Sequence, residues 1–123
     1  MSPKDTVKAF VAAHNNHDIE KMMTFLTEDS VMIDVASPIP LDSKKDVAKL
    51  FSMIFAAIPN IHFEVTGLIE EGTKAFAALR TTGDGNGIWM GNDITGKRCE
   101  VFEGMFVDVL NGQIKTCMFY SDT

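Results

Sequence analysis

Asp34 stands between Ile33 and Val35, where a carboxylate interrupts an apolar run. Enclosed in an apolar cavity, such a group holds its proton longer and becomes a usable base near neutral pH. The other reading is a capping or turn carboxylate ahead of Pro38. Glu103 lies in Val101-Phe102-Glu103-Gly104-Met105. A period of two groups it with Cys99, Val101, Met105, Val107 and Val109, and turns Glu100 and Asp108 to the opposite side. It is either an inward acid or a charge at an edge or dimer interface. The same period places Ile114, Thr116, Met118, Tyr120 and Asp122 on one face. Tyr120 either donates its hydroxyl into a cavity mouth or is a half-buried amphipathic residue. Asp122 is either an acid/base group or part of a solvated chain end.

His14 falls on the inner stripe of a helix, as a core histidine with a backbone or carboxylate partner or as a proton shuttle. His17 and His62 read as exposed, and no two histidines have metal-ligand spacing, so neither metal nor cofactor is expected. Trp89 and Met90 follow a glycine-rich loop, as a lid or an anchored loop aromatic. Phe10, Met105 and Met118 are candidates to line a pocket, although methionine at regular spacing is first of all core. The loop Gly83-Asp84-Gly85-Asn86-Gly87 is no phosphate cradle, since no helix or lysine follows it as that chemistry requires.

The elements that must position these groups divide at Pro59. Ahead of it, Ser2, Pro3 and Asp5 start a helix whose stripe is Val7, Phe10, Val11 and His14, and Asn15-Asn16 ends it. Asp18 caps a second helix carrying Ile19, Met22, Met23, Phe25 and Leu26. Ser30 to Val35 reads as a short strand broken by Pro38 and Pro40. Ser43 opens a third helix with Val47, Leu50, Phe51, Ile54, Phe55 and Ile58 on its apolar face. After Pro59 the period changes to two. Ile61–Glu70, Thr73–Thr82, Lys97–Leu110 and Gln113–Ser121 read as four strands of an antiparallel meander, with Asn111-Gly112 as a hairpin turn.

The 123 residues make one domain, 1–123, with no internal repeat or linker. A formal charge of −6 and only two arginines, Arg80 and Arg98, argue against nucleic acid. No apolar run is long enough for a bilayer span, and Met1-Ser2-Pro3-Lys4-Asp5 lacks the pattern of a signal peptide. Cys99 and Cys117 read as buried thiols in a reducing cytoplasm.

Three segments resemble the SnoaL-like polyketide cyclase and ketosteroid isomerase branch of the nuclear-transport-factor-2-like superfamily, and together they cover nearly the whole chain. Phe10-Val11-Ala12-Ala13-His14-Asn15-Asn16-His17-Asp18 is similar to its first helix end, an aromatic, small residues, Asn and then Asp. Phe25-Leu26-Thr27-Glu28-Asp29-Ser30-Val31 is similar to its junction into the next strand. Gly91 to Lys97, Asn111-Gly112-Gln113-Ile114 and Tyr120-Ser121-Asp122 are similar to the cyclase pattern Gly-x-x-x-Thr-Gly-Lys, Asp-Gly-Lys-Ile and a terminal aromatic-x-Asp.

The resemblance implies an α+β, cone-shaped, curved antiparallel sheet with three N-terminal helices over its concave face. By position it implies that Asp34 is similar to the isomerase general base and Glu103 to its oxyanion-donating, protonated acid. It likens Asp122 to the cyclase acid/base. Phe10 stands where the isomerases carry a donating tyrosine, which argues against the full steroid-isomerase set. The expectation is a cytoplasmic homodimer binding a small apolar organic ligand, with Phe102, Phe106 and Phe119 as a dimer patch. Its chemistry would be a cofactor-independent isomerisation or cyclisation by proton abstraction beside a carbonyl. Asp34 would be the base, Glu103 or Tyr120 the donor, and Asp122 a second acid/base. Two alternatives are a non-catalytic ligand-binding or protein-interaction module, and an epoxide hydrolase, which would need an Asp-Arg-Asp cluster that an outward Arg80 does not supply.

Overall fold

A computed structural model describes residues 1–34, 37–89 and 91–121. Helix α1 (Pro3–Asn15) starts as its sequence dictates: the Ser2 hydroxyl accepts from the Asp5 amide at 3.1 Å, and Pro3 opens the first turn. The Glu70 carboxylate accepts from the Lys4 amide at 3.0 Å and fastens this helix end to the sheet. His17, in the left-handed region at φ 53°, turns the chain into α2 (Ile19–Met23), which Asp18 caps through the Lys21 amide. Helix α2 is shorter than expected. Phe25 lies outside it, and Leu26 already begins strand β1 (Leu26–Asp34), because its fully buried side chain belongs to the sheet.

The expected end of this strand at Val35 lies outside the described residues. Pro38 and Pro40 do not merely end it. The chain returns as β2 (Ser37–Leu41), and it does so at the sheet edge, where an absent N–H costs no ladder bond. Helix α3 (Lys44–Ala57) follows, with Ser43 as its cap.

The four expected strands are β3 (His62–Glu71), β4 (Lys74–Asp84), β7 (Arg98–Leu110) and β8 (Gln113–Ser121). A small hairpin of β5 (Ile88–Trp89) and β6 (Asn92–Asp93) sits between β4 and β7. No helix interrupts Arg98–Ser121. Asn111 and Gly112, at φ 52° and 77°, give the β7–β8 turn the two positive φ angles of a type I′ hairpin.

The main sheet has six strands in the order β2-β1-β8-β7-β4-β3. It is curved and mixed rather than antiparallel throughout, because β1 pairs with β8 in parallel. A parallel pair needs a long crossover, and here that crossover is most of the chain. Nothing local in either strand announces it. The result is an α+β fold with three helices.

Helix α1 crosses β3, β4 and β7, while α3 lies by β1, β2 and the β5–β6 hairpin. The core between them includes Val7, Phe10, Met22, Val47, Phe51, Ala77, Met105, Val107, Ile114 and Cys117. Asn15 clamps the free edge of β3: its amide donates to the Phe63 carbonyl at 2.9 Å and accepts from the Phe63 N–H at 2.7 Å. Among the described residues no helix is long and apolar enough to cross a membrane.

Candidate active site

Strand β7 keeps its alternation. Cys99, Val101, Glu103, Met105, Val107 and Val109 point inward, while Phe102 and Phe106 point outward. Glu103 is half-buried, with Leu79 of β4 and Ser121 of β8 as register neighbours. The hydroxyl of Thr81, a β4 residue only 7% exposed, donates to Glu103 Oε1 at 2.6 Å. Thr81 and Ser121 were not singled out by the sequence reading. Extending the alternation Ala75, Ala77, Leu79 by one step finds Thr81.

Asp34 ends β1. It continues the inward phase of the buried Ser30 and Met32 and sits in register beside Phe119. The row Asp34–Phe119–Met105 places it two strands from β7, one residue pair from Glu103. Strand spacing then puts the two Cα atoms about 12 Å apart on one face. Asp34 is exposed, so it is a rim carboxylate and not the enclosed one the apolar run suggested.

Strand β8 departs from the expected phase. Asp108 pairs with Thr116 but Val109 with Ile114, so Lys115 is an extra residue in a bulge. Beyond it the faces exchange. Cys117, Phe119 and Ser121 turn inward; Thr116, Met118 and Tyr120 turn outward. Tyr120 is 42% exposed, and its hydroxyl donates to Met118 Sδ at 3.8 Å. Neither Tyr120 nor Met118 therefore faces the concave side, which corrects both assignments. Phe119 packs on the core and leaves the outer patch. Asp122 and Met90 lie outside the described residues.

Phe10 is wholly buried, edge-on to His14 and Phe25, and is a core residue rather than a pocket wall. Met105, 1% exposed, is likewise sealed. His14 is 3% exposed and packs edge-on against Phe10, Phe51 and Phe63. Its Nδ1–H donates to the Phe10 carbonyl at 2.9 Å, since a carbonyl only accepts. Burial pushes its pKa down to about 4, outweighing that hydrogen bond, with a smaller push from His17, so the ring is neutral at pH 7. This is the core-histidine reading.

His17, expected to be exposed, stacks on Phe55 with ring centroids 4.2 Å apart. Trp89 is half-buried in the β5–β6 hairpin, which rests by α3. Cys99 and Cys117 are unpaired. Only Cys117 is fully buried, which raises its pKa; Cys99 is half-buried, because its strand end lies at the open rim. Among the described residues no three His, Cys, Asp or Glu side chains gather as a metal site.

The family model for SnoaL-like polyketide cyclases matches residues 4–123. This chain belongs to that family. The placements above are therefore those of a SnoaL-like domain. A SnoaL-like polyketide cyclase from Agrobacterium tumefaciens is similar in structure, with a TM-score of 0.83 and 20% identity over 100% of this chain and 93% of that one. A protein with a ketosteroid isomerase-like fold from Catenulispora acidiphila gives 0.81 at 17% identity, over 98% and 86%. An LEH-like epoxide hydrolase from M. tuberculosis gives 0.78 at 16% identity, over 98% and 82%. At these identities the likeness speaks for the fold alone. A search of curated proteins gave no match. In this SnoaL-like chain Arg80 faces outward, between Glu100 at 2.6 Å and Glu64 at 3.9 Å, so it is committed to the outer surface.

Proposed function

We propose that this SnoaL-like protein binds a small apolar carbonyl compound on the concave face and moves a proton beside the carbonyl, as a cofactor-independent isomerase or cyclase. The observation that carries the reading is Glu103: a carboxylate on an otherwise apolar inward strand face, hydrogen-bonded by Thr81 and sharing its face and end of the sheet with Asp34. Two carboxylates in unlike surroundings, one exposed at the rim and one half-buried, can divide acid and base work. The test is a panel of enolisable ketones offered to the wild type, Asp34→Asn and Glu103→Gln. Proton exchange or isomerisation that falls by roughly two to four orders of magnitude in either variant, with binding little changed, supports it. Absence of turnover across the panel, with binding retained, would replace it with a ligand-binding module.

That second reading has its own observation. Of the two side chains expected to donate to an oxyanion, Tyr120 faces outward and Glu103 accepts from Thr81, while Phe10 stands where a donating tyrosine would be. Cytoplasmic residence accords with the unpaired cysteines. A homodimer through the outer sheet face accords with a row of four apolar residues in register, Ile69, Phe76, Phe106 and Met118. Ile69 is 70% and Phe102 52% exposed on that face. Light scattering at micromolar concentration should give twice the mass of 13.5 kDa.

A further inference from the structure

The bond between Thr81 and Glu103 has a direction, and the direction assigns a chemical role. A threonine hydroxyl has one proton to give, and Thr81 Oγ1 lies 2.6 Å from Glu103 Oε1, placed to donate it to a carboxylate. The length falls in the range of about 2.5–2.7 Å characteristic of a hydroxyl donating to an ionised carboxylate. Thr81 is nearly sealed, and the strand positions around Glu103 on the concave face are Val101, Leu79, Met105, Phe119 and the polar Ser121. In such surroundings a hydrogen bond to charge counts for more than it would in water.

We infer that Thr81 is a positioning residue that holds Glu103 in its ionised, accepting form, making Glu103 the proton-accepting carboxylate of the site and leaving Asp34 the rim partner. This rests on the acid/base reading above and reverses the roles implied by the family resemblance. The proton leaves the carbon beside the carbonyl for the Glu103 carboxylate, and the C–H electron pair becomes the enolate. The same proton then returns to a different carbon, so no oxidant or second reactant is consumed.

Among the described residues no cation shares this face with Thr81 and Glu103. Inward positions of β3, β4, β7 and β8 hold no lysine or arginine among the described residues, and Arg80 is turned out. Among the described residues the titratable groups on this side are Cys99 on β7, Asp34 on β1 and the neutral His14 on α1. Strand β8 brings Ser121, the register neighbour of Glu103.

The test is a carbon-13 titration of the Glu103 side-chain carboxyl, assigned with Glu103→Gln, in the wild type, Thr81→Val and Thr81→Ser. Valine keeps the shape and removes the proton; serine keeps the proton. The expected midpoint in Thr81→Val lies about one pH unit or more above the wild type, a tenfold weakening of the acid, and Thr81→Ser lies near the wild type. Coincident midpoints in wild type and Thr81→Val would overturn the inference, as would a wild-type carboxyl still protonated at pH 7. No substrate is needed, so the result is independent of whether a ketone is turned over. Where turnover is found, the acid limb of kcat/KM should move with the midpoint. A moved midpoint without any turnover would sustain the Thr81 bond and count against catalysis.

Discussion

The two ends of the concave face are made from the same strands and treated oppositely. Toward the β3–β4 hairpin end, Ala75, Ala77, Met105, Val107, Val109, Ile114 and Cys117 are all buried and all apolar, and α1 closes over them. Toward the other end, Thr81, Gly83, Glu103, Ser121 and Asp34 enter the same inward phase. Gly83 is required there, because a Cβ would collide with Ile58 as the chain leaves α3. The apolar end supplies folding energy; the polar end is tolerated because that energy is already in place, and its groups are hydrogen-bonded. No buried side-chain nitrogen or oxygen among the described residues lacks a partner or contact with solvent.

The comparison breaks most decisively in the polar half. Glu103→Gln should lower turnover of any accepted ketone by roughly two to four orders of magnitude while leaving the melting temperature within a few degrees. A variant that unfolds instead would show Glu103 to be a structural group and erase the division between the ends. In the apolar half the reverse is expected. Phe10→Ala removes a fully buried ring and should cost roughly 3–5 kcal/mol, read by urea denaturation.

His14 links the apolar half to pH. Its folded pKa of about 4 lies below the ordinary 6.5, so between these values the unfolded chain takes a proton that the folded chain refuses. The stabilisation is complete above about pH 6.5 and lost as pH falls toward 4, by roughly 3 kcal/mol in all. His14→Gln should flatten that part of the stability profile; equal slopes in both proteins would remove the buried neutral histidine. The smallest effect belongs to Tyr120→Phe. On the outward assignment it changes stability by less than about 0.5 kcal/mol and leaves turnover untouched. A large loss of turnover would return Tyr120 to the site.

The fold was legible because the signals that set it are local. Ser2, Asp18 and Ser43 cap the three helices they were read to cap, and the change of period after Pro59 marks where the meander begins. The inward placement of Glu103 followed from alternation in a strand with no irregularity before Asp108. The same rule failed in β8 because one residue, Lys115, is not paired, and period-two reasoning carries any slip to the strand's end. Composition around Lys115 gives no warning of it. The exposure of Asp34 was illegible for another reason. Its neighbours Ile33 and Val35 suggest an interior, but whether a strand end is covered depends on elements distant in sequence. The parallel β1–β8 pair was hidden for that cause as well.

A sheet of this kind has two borders where a foreign strand could add on, and each is blunted. One border strand carries Pro38 and Pro40, which have no proton to offer a newcomer. The other has its Phe63 groups taken by the Asn15 amide and is kinked by an irregularity between Val65 and Gly67. Fibre growth by lateral addition is therefore hindered at both sides, and the dimer proposed through the apolar outer surface would close on itself at two copies instead of running on without limit.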